Sequence, residues 1–166
     1  LGVLLMAIEI ERKFLVANLD WREQVTGAGE IYAQGYLAAT PDQTVRVRIA
    51  AGQGYLTVKG PSQGSSRLEF EYEIPLADAE AMLPLCAWPA ISKYRYKVDY
   101  ASLVWEVDEF LGANQGLILA EVELIDPNQT VTLPPWVGQE VTTDPRYFNA
   151  YLAKHPYQTW TEGRAT

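Results

Sequence analysis

The chain has 166 residues, 48% hydrophobic and 20% charged, the size and composition of one ordinary globular domain. Its net charge of −8 argues against a general nucleic-acid binder, which carries a basic excess, but leaves room for an anion held by a local basic wall. With one cysteine, Cys86, no disulfide can form within the chain, and with one histidine, His155, a structural zinc site lacks its ligands and a histidine triad would rest on His155 alone.

In chain order, the opening LGVLLMAI is apolar but lacks the basic start and cleavage site of a signal peptide, and it is too short to span a membrane. Residues 1–5 read as an extension ahead of Met6, and a cytoplasmic protein is expected. Period-two alternation then dominates, predicting strands over 6–16, 30–39, 43–51, 53–60, 66–75, 90–100, 102–110 and 116–125. Turn residues separate them, among them Thr40-Pro41-Asp42, Gly60-Pro61-Ser62 and LGANQG, and 43–51 with 53–60 reads as a tight hairpin. A short helix is predicted over 76–86, ended or bent around Pro84. A better one covers 144–154, with Asp144 at the N-cap and Pro145 at the first helical position, and its Tyr147, Phe148 and Tyr151 read as packing. A C-terminal tail, 156–166, follows, its last residues, TEGRAT, small and polar. There is no internal repeat or linker, so the expected arrangement is one domain, 6–155, built mainly of β-structure as a sandwich or barrel.

Alternate residues of a strand share a face, and one set of faces collects the charges. It carries Glu9, Glu11 and Lys13; Tyr32, Gln34 and Tyr36; Thr44, Arg46 and Arg48; Thr57 and Lys59; Arg67, Glu69, Glu71 and Glu73; Lys93, Arg95 and Lys97; Glu106 and Asp108; and Glu121 and Glu123. The opposite faces are apolar almost throughout. One reading is a sheet with a wet side. The other follows from segregation of sign: RVR, TVK and KYRYK are basic, EVD and EVE acidic, whereas solvated surfaces intersperse their charges. Closed into a barrel, these walls would line a charged tunnel wide enough for one small ligand. Arginines grip phosphate oxygens with a bidentate fork, and carboxylates suit Mg²⁺ or Mn²⁺. A metal–polyphosphate complex would satisfy both walls.

The ordered series EIERKFLV, QGYL, RVRI, LTVKG, SRLEFEYEI, KYRY, EVDEF, AEVEL and PPWVGQEVTTDPRYFN, spread over residues 7–153, resembles the CYTH, or triphosphate tunnel metalloenzyme, family in its short bacterial members. The resemblance implies a closed eight-stranded antiparallel β-barrel with a charged interior that binds a triphosphate and a divalent metal, Mg²⁺ or Mn²⁺. It implies phosphate contacts from Lys13, Arg46, Arg48, Lys59, Lys93 and Arg95, with Arg146 reaching one tunnel mouth. Glu9, Glu11, Glu121 and Glu123 are implied as metal-side carboxylates, with Asp108 and Glu106 as helpers, while the roles of Glu69, Glu71 and Glu73 stay open. Tyr36 and Lys93 are implied as the pair that handles the attacking water, with Lys93 or a second metal activating it. The expected activity is hydrolysis of inorganic triphosphate to pyrophosphate and phosphate, by a monomer or homodimer with no nucleic-acid or membrane partner. A thiamine triphosphatase, an adenylate cyclase or a non-catalytic polyphosphate-binding barrel are the alternatives.

Overall fold

The computed structural model describes residues 7–161; the expected N-terminal extension and the last five residues lie outside them. The strands are β1 (Ile8–Val16), β2 (Glu30–Ala39), β3 (Thr44–Ala50), β4 (Gln53–Lys59), β5 (Ser66–Ile74), β6 (Ile91–Tyr100), β7 (Leu103–Phe110), β8 (Ile118–Glu123) and β9 (Val137–Glu140). The helices are α1 (Leu76–Met82) and α2 (Asn149–Lys154). The first eight strands coincide with the predicted ones to within two residues, because half-buried alternation is a strong signal. Among the described residues no helix is long and apolar enough to cross a membrane.

Pairing runs β5-β4-β3-β2-β6-β7-β8-β1, every pair antiparallel, and β1 returns to β5 to close an eight-stranded barrel. The closing edge of β1 is divided. Ile8–Ile10 pair with β5, whereas Phe14 and Val16 pair with β9, a short strand absent from the sequence reading. Two local features hold β2 and β3 in place. The two-residue turn after β3 needs positive φ at Ala51 (49°) and Gly52 (74°), the twist that a tight hairpin demands. Gly35 lies so close to Cys86 that a Cβ there would stand 2.5 Å from Sγ, so the glycine of QGYL lets β2 settle between Gln34 and Tyr36.

Two apolar cores flank the charged faces. Outside the barrel, Phe14, Val98, Trp105, Val107, Ala120 and Val122 pack under Trp21 and Trp136. The Trp105 ring lies 5.5 Å from Phe14 and 5.8 Å from Trp136. Burying each such side chain stabilises the fold by about 1.5–3 kcal/mol. The segments around Trp21 and Trp136 cover this patch of the outward faces, whereas Leu68, Phe70 and Tyr72 on the outward face of β5 stay exposed. The second core modifies the expectation of a tunnel charged along its whole length. Ile91, Phe110 and Leu119 share strand faces with Lys93, Asp108 and Glu121, yet they cluster with Leu117, Val141, Tyr147, Leu152 of α2 and Tyr157. The inward faces are therefore apolar at one end, where the C-terminal segment packs.

The predicted helix over 144–154 is broken. Asp144 does cap, its carboxylate accepting from Arg146 N, but Pro145–Tyr147 is a single 3₁₀ turn. Phe148 is extended, with ψ 136°, and α2 starts only after it. Packed structure also continues past residue 155: Tyr157 is buried, its ring 5.0 Å from Trp160.

Candidate active site

Register decides which charges meet. Between β1 and β8, Lys13 stands opposite Glu121 and Glu11 opposite Glu123. Between β6 and β7, Arg95 stands opposite Asp108. On β3, Arg46 lies between Tyr36 of β2 and Thr57 of β4, and Arg48 lies opposite Gln34. These faces enclose a cavity of about 900 Å³, lined by Glu9, Glu11, Lys13, Tyr36, Arg46, Arg48, Lys59, Arg95, Glu106, Glu121 and Glu123. The lining extends from the β6–β7 turn at Ser102 to the β2–β3 turn at Pro41 and to α2.

Most of the cations are held by acids. Lys13 Nζ sits 2.9 Å from Glu121 and 3.7 Å from Glu11; Lys59 Nζ sits 2.6 Å from Glu9 and 2.8 Å from Glu69. Arg46 Nη2 donates to Thr57 Oγ1 (3.0 Å) and Glu71 Oε2 (3.1 Å). Arg95 grips Asp108 with Nε and Nη2, each at 2.7 Å, and reaches Glu121 at 3.0 Å. Arg48 differs: its Nε donates to Gln34 Oε1 at 3.1 Å, and among the described residues it has no carboxylate within ion-pair distance.

Three expected site residues stand apart from the lining. Lys93 and Asp108 are fully buried beside it, Lys93 Nζ donating to Asp108 Oδ2. Arg146 lies outside the cavity, largely exposed, with its guanidinium on Asp144 and over the Tyr147 and Trp160 rings. Of the acids whose role was open, Glu69 and Glu71 line the cavity, whereas Glu73 is exposed and outside it. The sequence reading missed several lining residues. Lys154 projects from α2, its Nζ donating to Ala39 O and lying 4.4 Å from the Trp88 ring. Thr142 accepts from Lys13 N and ties β1 to the segment after β9. Phe148 and Tyr151 add aromatic surface to a lining for which only Tyr32 and Tyr36 had been expected. The break at Phe148 sets the phase of α2, and no sequence signal marks that break.

Burial divides the charged groups into two kinds. Desolvation favours protonation of Glu11, and with Glu121 nearby its pKa is pushed up to about 7 despite Lys13. Glu9 and Glu123 are raised for the same first reason, Glu123 further by Glu9 and Glu106. Glu121 and Asp108 are equally buried, yet their cations hold both below the usual carboxylate range. Burial lowers Lys93 to about 8, Asp108 opposing and Arg95 and Arg48 assisting. The Asp108 charge is gripped twice by Arg95, so Asp108 stays ionised whichever form Lys93 takes. Burial, with Arg46 and Arg95, also lowers Arg48, to about 10.

The raised carboxylates provide the test of a metal. Glu11 and Glu123 stand directly opposite each other in register, as do Glu106 and Glu121, and like charges so placed are unfavourable. No three His, Cys, Asp or Glu side chains are already gathered as a cage among the described residues. That fits a hard cation held by one or two carboxylates and completed by phosphate oxygens and water, as Mg²⁺ is bound. Glu9, Glu11 and Glu123 fit this role; Glu121 and Asp108 are committed to Lys13, Arg95 and Lys93.

Residues 7–157 match the CYTH domain. An inorganic triphosphatase of Acetivibrio thermocellus is 49% identical over 158 residues, covering 95% of this chain and all of that protein. One of Nitrosomonas europaea is 38% identical over 154 residues, covering 87% of this chain and 96% of the other. The crystal structure of the inorganic triphosphatase NE1496 superposes with a TM-score of 0.62 at 33% identity, over 87% of this chain and 93% of that one. With the closed barrel and its cavity, these likenesses establish that the chain belongs to the CYTH domain family.

Proposed function

We propose that this chain is an inorganic triphosphatase, a hydrolase that cleaves a terminal phosphoanhydride of tripolyphosphate to give pyrophosphate and phosphate. The observation that carries this reading is the cavity itself: Lys13, Arg46, Arg48, Lys59 and Arg95 line it together with Glu9, Glu11 and Glu123. The relatives' activity supports the same reading.

The cations bind and neutralise the phosphate chain, and the Arg48 fork, free of any carboxylate, has donors ready for phosphate oxygens. Lys59 and Arg46 are drawn from Glu9, Glu69 and Glu71 toward the phosphates on binding. Glu9, Glu11 and Glu123 would hold the divalent cation, Mg²⁺ or Mn²⁺. When bound, it neutralises phosphate oxygens as charge moves to the leaving group. Lys93, with its lowered pKa, takes the proton of the attacking water once substrate draws its Nζ from Asp108 toward the cavity, and Tyr36, in the lining, orients that water. Both residues meet the same apolar end of the barrel: Tyr36 belongs to the Phe110 cluster, and Lys93 Nζ lies 5.4 Å from the Phe110 ring.

A phosphate-release assay on purified protein tests the reading, comparing kcat/KM for tripolyphosphate, ATP, thiamine triphosphate and pyrophosphate with Mg²⁺. Tripolyphosphate is expected to lead clearly, with pyrophosphate poorly cleaved because it is too short to reach the basic wall and the metal site together. ATP and thiamine triphosphate belong in the panel because Phe148 and Tyr151 offer rings for stacking. A preference for ATP, or cyclic AMP among the products, would overturn the assignment.

A further inference from the structure

Tyr32 lies on β2, opposite Lys93 of β6 and Ala50 of β3. Its half-buried ring meets three cations: Arg48 Cζ at 5.1 Å, Arg95 Cζ at 5.2 Å and Lys93 Nζ at 6.0 Å. Each lies within the range at which a cation is attracted to an aromatic face. One ring thus gathers cations of β3 and β6, strands that do not pair with each other.

The arrangement matters most at Arg48. Lys13, Arg46, Lys59, Lys93 and Arg95 each have a carboxylate within ion-pair distance, and Arg48 has none among the described residues. It is nevertheless partly buried and repelled by Arg46 and Arg95. Among the described residues its one hydrogen-bond partner is Gln34 Oε1, taken by Nε. Gln34 is itself fully buried, and its Nε2 has no hydrogen-bond partner among the described residues. A carboxylate at position 32 would hold Arg48 firmly but would occupy the guanidinium fork. An aliphatic side chain would give Arg48 nothing to offset its repulsion by Arg46 and Arg95. A π face attracts the guanidinium plane and leaves its N–H groups available.

Building on the triphosphatase reading, we propose that Tyr32 is a positioning residue for triphosphate: its ring, and not its hydroxyl, gathers Arg48, Arg95 and Lys93 and keeps the Arg48 fork uncommitted for the phosphate chain. Tyr32 does not line the cavity, so it acts through these cations.

The test measures tripolyphosphate binding by titration calorimetry, and KM and kcat in parallel. The proteins are wild type, Tyr32→Phe, Tyr32→Leu and a series with mono-, di- and trifluorinated phenylalanine at position 32. Tyr32→Phe should bind as wild type does. Tyr32→Leu should bind about tenfold more weakly, from the loss of two or more cation–π contacts, with KM changing more than kcat. The fluorinated rings keep shape and volume while withdrawing charge from the face, so Kd should rise stepwise with each fluorine, a pattern that a merely space-filling ring would not give. The series also keeps the test open if the leucine variant folds poorly. A flat fluorine series, undiminished binding in a folded Tyr32→Leu, or equal losses in Tyr32→Phe and Tyr32→Leu would each overturn the proposal. Wild-type protein that neither binds nor cleaves tripolyphosphate would instead bring down the functional reading, and this proposal with it.

Discussion

Lys93 offers the sharpest test of the chemistry. It is fully buried, and its pKa of about 8 lies well below the ordinary 10.5, chiefly through desolvation. A base must be unprotonated to act, and kcat/KM reports the free enzyme. With a pKa of about 8, roughly one molecule in eleven is competent at pH 7 and roughly ten in eleven at pH 9, so kcat/KM should rise about tenfold across that interval. The kcat limb should lie higher, because bound phosphate favours the ammonium form. In Lys93→Arg the guanidinium stays protonated throughout, so the limb should vanish and kcat should fall strongly. Because arginine overfills a fully buried site, Lys93→Met serves as a second variant of similar size and should also lose the limb. The assay is initial-rate phosphate release at saturating Mg²⁺, with folding of each variant checked by thermal melting. A wild-type profile flat between pH 7 and 9, or the same tenfold rise in both variants, would refute the assignment of Lys93 as base.

Other outcomes follow from the same charges. Arg46→Ala and Arg48→Ala should each raise KM for tripolyphosphate about tenfold or more, since a hydrogen bond to a charged group is worth about 1.5–3 kcal/mol. Their stabilities should diverge: Arg46→Ala removes the cation paired with Glu71, leaving it only the Thr57 hydroxyl, and should lower the melting temperature, whereas Arg48→Ala breaks no ion pair among the described residues and relieves repulsion with Arg46 and Arg95. Equal KM values in both variants and wild type would refute the inward role of β3. For Glu11 the folded pKa, about 7, exceeds the ordinary 4.5, so the folded state holds its proton longer. Stability of the metal-free protein should therefore fall as pH rises from about 4.5 to 7, by at most about 3.5 kcal/mol from this group. Glu11→Gln should lack that fall in urea titrations; parallel curves would refute it. Excess chelator should abolish turnover, Mg²⁺ should restore it and Ca²⁺ should inhibit, because its larger, looser coordination misplaces the phosphate; full turnover in chelator would remove the metal from the mechanism.

The barrel was legible because its signal is local: period two with charge on one phase, repeated eight times. β9 was not, since Val137–Glu140 is too short to show alternation and two of its four residues are exposed. The same phase that correctly grouped Glu9, Glu11, Lys13, Arg46 and Arg48 around the cavity could not tell depth along the strand. Lys93 and Arg95 alternate identically, yet only Arg95 lines the cavity, because the apolar cluster around Phe110 and Leu152 fills the end nearer Lys93. That distinction depends on where the C-terminal segment packs, which is tertiary information. Arg146 and Lys154 are the converse case. The resemblance implied Arg146 at the tunnel mouth; the structure leaves Arg146 outside the lining and, with α2 starting only after the extended Phe148, brings Lys154 to it instead.

The divided edge of β1 bears on how the protein assembles. Hairpins such as β3–β4 and β6–β7 join neighbours in sequence and can form early. β1 must find β5, β8 and β9, and its Arg12 grips Glu140, a residue 128 positions away. Contacts at such separation carry the largest loop-closure cost and accumulate late. Glu9, Glu11 and Lys13 therefore ride on the strand expected to dock last, and docking sets Glu11 against Glu123. In a refolding experiment, β-sheet circular dichroism should recover first and tripolyphosphate hydrolysis later, with the delay set by entry of the first strand into a sheet already built.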